Sequence, residues 1–349
     1  MGQIRVVVVD DSDFARELII AILSTDKEIV IAGEAKNGRE AVEMAKDLKP
    51  DIMTIDIEMP VMNGLDAIEQ IMAHTAIPIL VVTTRGDANT AYAAISKGAL
   101  DLIVKPDVNL EGAQEFIQKI KLLSKIKVIT HITGKRALRE KPVEKPPLFT
   151  RETADSIVAI ASSTGGPEAL SVIMSALPET FPCSVVVAQH NSDGFIPGMV
   201  EWLKRISKMT IKVAEAGEAL APGTVYVSPS EKHMQITVSK RVSFVERHPT
   251  DIYRPSCDTL LSSVALAYKG RAIGIILTGM GSDGVRGMKQ IKEAGGMTIA
   301  QDEKTCIVFG MPRVAIESGC IDKILPLDII GPKIVSLLAD GALQKACAR

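Results

Sequence analysis

Two sets of polar residues stand directly behind short apolar runs, and each has a chemistry of its own. The first set is acidic. Asp10 and Asp11 follow the run 6–9, Asp56 follows 52–55, Thr83 closes 79–82, and Lys105 follows 102–104. Three carboxylates at one sheet edge repel unless a cation joins them, and an oxygen-only ligand set with water suits magnesium. A metal-bound aspartate can attack a phosphoryl donor while the metal and a lysine neutralise the developing charge. The Thr83 hydroxyl could then bond the new phosphoryl group. A lone strand-end aspartate more often just caps a helix; it is the whole set, in strand order, that points to phosphoryl chemistry.

The second set reads as a nucleophile, a base and an orienting acid. Ser162 and Ser163 lie in IVAIASSTGGPEAL, where an apolar run gives way to a small-residue turn and then to a helical pattern. Gly165 and Gly166 permit a tight turn, and Pro167 suits a first helical turn. A serine there sits at the positive end of a helix dipole, near backbone N–H groups able to hold an oxyanion. His190 ends VVVAQH, and Asp283 lies in LTGMGSDG directly after another apolar run. Serine, histidine and aspartate from three strand ends can converge without being close in sequence. The same Ser-Thr-Gly-Gly turn also fits a phosphate-binding helix start, although no GK[ST] follows. Spacing alone leaves both readings open. No G-x-S-x-G elbow is present, so the α/β-hydrolase family is not indicated. The histidines at 74, 131, 233 and 248 have no comparable setting.

The elements that must position these residues alternate. In residues 1–123 five apolar runs are separated by helical patterns at 14–23, 39–48, 65–73, 88–97 and 111–123. Unbroken apolar strands with helices between them predict a parallel sheet covered on both faces, a doubly wound domain of the flavodoxin-like kind. Residues 124–155 are basic and proline-containing, with few paired apolar positions; such a stretch buries too little surface to offset its ordering entropy and is read as a linker. From 156 to 345 a second α/β pattern follows. Buried parallel strands are expected at 157–161, 184–188, 272–277 and 297–300, and helices at 167–176, 195–206, 258–268 and 283–294. Short antiparallel strands are expected at 224–227, 234–238 and 242–245. The fold class is therefore α/β, with two doubly wound parallel sheets, the second Rossmann-like with a short antiparallel insertion.

Composition narrows the function. Lys plus Arg (40) nearly balances Asp plus Glu (42) in 349 residues, which argues against a nucleic-acid footprint. No apolar run reaches the roughly 18 residues that span a bilayer, so no membrane insertion is expected. The start MGQIRVVVVD lacks the features of a signal peptide, and Val6 stands where a myristoylation motif has Ser or Thr. Five scattered cysteines with no CxxC pair indicate neither a zinc site nor a disulfide framework. The expected location is the cytoplasm.

VVVDDS, DIEMPVMNGLDAI and VKP resemble the response-regulator receiver family over nearly all of residues 3–123. The resemblance implies Asp56 as phosphoacceptor, a Mg2+ ion held by Asp10, Asp11, Asp56 and the backbone carbonyl of Glu58, and Thr83 and Lys105 as switch residues. Leu102 departs from the Tyr or Phe common there, so an aromatic flip is not available. SSTGGPEAL, AQH, LAPGTVYVSPSEKH, RPSCDTLLSSVA, LTGMGSDGVRGM and AQDEKTCIVFGMPRVAI resemble the catalytic domain of the chemotaxis receptor methylesterase, CheB, over about 157–329. That resemblance implies Ser163 as nucleophile, directly before Thr164-Gly165-Gly166, with His190 as general base and Asp283 orienting it. It implies that Met280 and the backbone near Thr164 and Gly165 bind the tetrahedral intermediate. The implied substrates are glutamate methyl esters, and glutamine amides, on methyl-accepting chemotaxis receptors; the implied phosphodonor is a receptor-coupled histidine kinase. No cofactor is implied for the ester chemistry. Asn191-Ser192 replaces a common Met-Pro after the histidine, and Ala161-Ser162 replaces a common Gly-Ala. The rival readings are a regulator whose second domain only binds a partner, a hydrolase of small molecules, and a phosphate-binding enzyme.

Overall fold

The computed structural model describes residues 2–84, 88–107, 112–128, 155–248 and 250–339. The chain divides into two compact units, Met1–Glu140 and Lys141–Arg349. Most of the expected linker, 129–154, lies outside the described residues, as do the last ten.

The first unit is built from β1 (Ile4–Val9), α1 (Asp13–Leu23), β2 (Ile29–Ala35), α2 (Gly38–Leu48), β3 (Ile52–Ile55), α3 (Gly64–His74), β4 (Ile79–Thr83), α4 (Ala88–Ser96), β5 (Asp101–Val104) and α5 (Ala113–Leu123). All pairings are parallel, in the order β2-β1-β3-β4-β5. Residues 52–55 and 79–83 are buried throughout, as strands covered on both faces must be. Side chains start the helices: Ser12 caps α1, Asn37 caps α2 and Asn63 caps α3. The strand order reverses between β1 and β3, so the crevice forms beside the carboxyl ends of those two strands.

The second unit begins with β6 (Ile157–Ser162), α6 (Gly166–Ala176), β7 (Ser184–Gln189), α7 (Ile196–Lys204), β8 (Thr210–Val213) and β9 (Thr224–Val227). It continues through β10 (Lys232–Ile236), β11 (Val242–Glu246), α8 (Cys257–Tyr268), β12 (Ala272–Ile276), α9 (Val285–Glu293), β13 (Met297–Gln301), α10 (Met311–Glu317), β14 (Lys323–Leu325) and α11 (Leu327–Ala339). Seven strands form one parallel sheet, β14-β13-β12-β6-β7-β9-β8. Here the order reverses between β6 and β12. One expectation is corrected. Residues 224–227 are not antiparallel but join the main sheet, parallel to both β7 and β8. Val225, Tyr226 and Val227 are buried, as a strand with neighbours on both edges requires. Only β10 and β11 form the antiparallel hairpin.

Candidate active site and acidic site

Register brings the serine and the histidine together. β6 and β7 pair in parallel through Ser162↔Gln189, so Ser163 and His190 are the next residues on adjoining strands. The His190 N–H donates to the Ser162 carbonyl at 2.9 Å, and the Ser163 N–H donates to the Thr278 carbonyl at 3.0 Å. Ser163 is thereby fixed between the end of β7 and the loop after β12. Gly279 packs against it so closely that a Cβ there would overlap the Ser163 Cβ. Gly165 takes φ +75°, a left-handed turn, immediately before α6.

The two serines differ. Ser162 is fully buried, and its hydroxyl donates to Gln189 Oε1 at 2.6 Å. Gln189 Nε2 donates in turn to the carbonyls of Ser163 (2.9 Å) and His190 (2.8 Å). Gly166 is required for this crossing, because a Cβ there would overlap Gln189 Oε1. Ser163 is half-buried. Ser162 and Gln189 therefore act as a tie between strands and leave Ser163 as the serine open to a substrate.

His190 Nε2 lies 2.8 Å from Asp283 Oδ2, so Nδ1 is the nitrogen left to act as a base. Asp283 is buried yet well supplied with donors. Oδ2 accepts from the Cys257 N–H (2.6 Å); Oδ1 accepts from the Asp258 N–H (2.9 Å), the Gly284 N–H (3.1 Å) and the Ser256 hydroxyl (3.3 Å). Burial alone would raise its pKa. The His190 contact and the backbone N–H groups of Asp258 and Cys257 outweigh burial and hold it below the ordinary carboxylate value. The carboxylate thus stays charged, as an orienting acid needs to be.

The loop 251–256, whose residues had no role assigned from the sequence, supports this pair. The Tyr253 ring stacks on the His190 ring, with centroids 5.1 Å apart. Residues 251–256 are held from the hairpin by His233, whose Nδ1 accepts from the Ser256 N–H (2.9 Å) and whose Nε2 contacts Asp251 Oδ2 (2.9 Å). The Asn191 N–H donates to the Arg254 carbonyl at 2.8 Å, and Arg247 binds both carboxylate oxygens of Asp193. A histidine on an apolar strand gave no signal in the sequence, since its aspartate lies 18 residues away. Among the other expected residues, Thr164 is buried and Met280 is exposed beside Gly279.

In the first unit the acidic set also converges. Side-chain oxygens of Asp10, Asp11 and Asp56 lie within 4.8 Å of one another. The Lys105 ammonium sits 2.7 Å from both Asp10 Oδ2 and Asp56 Oδ2. Asp10 and Asp56 are buried and Asp11 is exposed. Asp56 Oδ1 accepts from the Ile57 N–H at 2.7 Å. Burial raises the Asp56 pKa, and the contact with Lys105 only partly offsets it. Burial also works against the Lys105 charge, but the two carboxylates win and raise its pKa. Thr83, buried at the end of β4, accepts the Lys105 N–H on its carbonyl at 2.9 Å. Glu58 lies on the exposed loop after β3. Gly64, not singled out in the sequence, starts α3 so close to β3 that a Cβ would overlap the Asp56 carbonyl. The residues fit a hard cation. Three carboxylates gather around one ammonium, which leaves net negative charge for a cation to offset.

Both units match known families. Residues 158–334 match the family model for CheB methylesterase, and residues 6–121 match the response regulator receiver domain. The chain belongs to the CheB methylesterase family. A protein-glutamate methylesterase/protein-glutamine glutaminase of Paramagnetospirillum magneticum is 45% identical over 96% of both chains. One of Pyrococcus abyssi is 38% identical over 95% of this chain and 93% of its own. Among solved structures, the Thermotoga maritima CheB methylesterase catalytic domain aligns at TM-score 0.51 and 40% identity, covering 52% of this chain and 98% of that one. The receiver match falls within the first unit and the methylesterase match within the second.

Proposed function

We propose that the chain is a phosphorylation-regulated protein-glutamate methylesterase and protein-glutamine glutaminase. Its substrates are the methyl-accepting receptors of chemotaxis, and its phosphodonor is a receptor-coupled histidine kinase. The observation that carries the reading is the parallel register that makes Ser163 and His190 neighbours, with His190 held by a charged Asp283.

Ser163 attacks the ester carbonyl, and His190 Nδ1 takes its proton. Asp283 fixes the ring through Nε2 and stabilises the imidazolium. The oxyanion is received by backbone N–H groups around Thr164 and Gly165 and by the Met280 loop. His190 returns the proton to the departing methoxide, and methanol leaves. Water, deprotonated by the same nitrogen, then cleaves the acyl-enzyme to glutamate. A glutamine side chain follows the same course, with ammonia as the leaving group.

In the receiver, Asp56 is the phosphoacceptor, and Asp10, Asp11, Asp56 and the Glu58 carbonyl would hold a magnesium ion. That ion, when bound, offsets charge on the phosphoryl oxygens. Lys105 neutralises the remaining charge, and the Thr83 hydroxyl turns toward the phosphoryl group, which is the switch. No helix among the described residues is long and apolar enough to cross a membrane, and we place the enzyme in the cytoplasm with its receptors' signalling ends.

Methanol release from methylated receptor tests this, with and without a phosphodonor and Mg2+. Wild type should release methanol and be stimulated, Ser163→Ala should release none, and Asp56→Asn should lose only the stimulation. Full activity in Ser163→Ala would remove the esterase reading.

A further inference from the structure

One side chain beside the catalytic pair has no part in the chemistry above. The Cys257 sulfur is completely buried at the start of α8 and lies 3.4 Å from His190 Nε2. The same nitrogen is 2.8 Å from Asp283 Oδ2, and ligating atoms of all three residues lie within 4.8 Å of one another. Imidazole, thiol and carboxylate around one point are a zinc-type donor set.

We propose that His190, Cys257 and Asp283 form a site for a thiophilic divalent cation of the zinc class, whose binding switches the esterase off. The inference rests on the reading of His190 and Asp283 as base and orienting acid.

The distances are close to those needed. Zinc bonds of about 2.0 Å to nitrogen and 2.3 Å to sulfur, at tetrahedral angles, place N and S about 3.5 Å apart. The separation here is 3.4 Å. For N and O the same geometry needs about 3.3 Å, so the His190–Asp283 contact must open by about half an ångström. The charges also close. A thiolate, a carboxylate and a neutral imidazole cancel a divalent cation, which suits a buried position. Sulfur selects the cation: the receiver's oxygen-only cluster takes magnesium, and this one takes a softer metal.

Inhibition follows from which nitrogen is used. Metal at Nε2 moves the ring proton to Nδ1, the nitrogen that must accept the Ser163 proton. The Cys257 thiol gives up its proton to solvent as the metal–sulfur bond forms. The metal also takes the oxygen that orients the ring. A bound cation therefore removes both the base and its support.

The test uses the full chain with the receiver saturated by Mg2+. Cobalt(II), a zinc surrogate, is titrated while the near-ultraviolet thiolate-to-cobalt band is read, in wild type, Ser163→Ala and Cys257→Ala. Methanol release is measured in parallel against buffered free zinc. The band should appear in wild type and in Ser163→Ala and vanish in Cys257→Ala. Half-inhibition by zinc should need at least tenfold more metal in Cys257→Ala, and a chelator should restore wild-type turnover. Should Cys257→Ala not fold, Cys257→Ser gives the same comparison. No band in wild type, a band that survives the loss of Cys257, or unchanged zinc inhibition in that variant would overturn the site. Because the band is read in Ser163→Ala as well, the metal site is judged independently of the esterase reading, which falls instead if Ser163→Ala keeps its activity.

Discussion

Asp56 and Asp283 stand in comparable places, each buried at the carboxyl edge of a parallel sheet beside the point where the strand order reverses. Their acidities move in opposite directions. Asp56 has one backbone N–H and one ammonium, which it shares with Asp10, and burial leaves its pKa raised. Asp283 has three backbone N–H groups, a hydroxyl and an imidazole, and its pKa is lowered. Burial raises both; the sign is decided by how many donors oppose it, and at Asp56 the like charge of Asp10 adds to burial. The two proposed roles call for this difference. An acid that orients a histidine through every turnover is served by a complete, permanent shell. An acid that must bind a metal and then carry a phosphoryl group is served by a shell left incomplete.

The largest effect expected from breaking this contrast is at Asp283. Asp283→Asn keeps the shape but disturbs the tautomer of His190, and kcat should fall by about 10^3–10^4-fold in steady-state methanol release, with little change in KM. Next comes the clamp behind it. His233→Ala frees the Ser256 N–H and the Asp251 carboxylate, loosening the loop that carries Tyr253. A displacement of that kind should cost about ten- to a hundredfold in kcat, and a normal melting temperature alongside it would separate positioning from folding.

At the acidic site the effects should be smaller and fall on stability. Asp56→Asn removes a carboxylate that burial disfavours, so the metal-free chain should be more stable at neutral pH, read as a higher melting temperature. Mg2+ at a hundredfold excess over its Kd should stabilise the wild-type receiver by about 2.7 kcal/mol and Asp56→Asn by less. The pH dependence separates the two acids. Asp56, with a raised folded pKa, weakens the fold as pH rises from its unfolded value through its folded one. Asp283, with a lowered folded pKa, contributes stability above the unfolded value, and this is lost as pH falls through the folded one. Acid melts of Asp56→Asn and Asp283→Asn should therefore diverge from wild type in opposite senses.

Much of this organisation could be read from residue order. The unbroken apolar runs identify buried parallel strands, and the polar residues behind them identify the edge where chemistry collects. Both sheets and both residue sets appear where that logic puts them. The sequence was less informative wherever meaning depends on a distant partner. The run TVYV at 224–227 is compatible with either pairing direction, and only its place between β7 and β8 decides it. Gln189 looks like an ordinary polar strand end until Gly166 lets it cross to Ser162 and Ser163. Cys257 and His233 read as a core thiol and an isolated histidine, because their partners come from other strands and loops. Ser162 and Ser163 are indistinguishable as residue types. They differ only in that one hydroxyl is buried against Gln189 and the other residue is half-exposed.

That last difference gives the most direct test. A fluorophosphonate, which reacts with activated serines, is added to the full chain and the adduct is located by peptide mass spectrometry. One adduct is expected, on Ser163, retained in Ser162→Ala and absent in Ser163→Ala. An adduct on Ser162, or labelling that survives in Ser163→Ala, would contradict it.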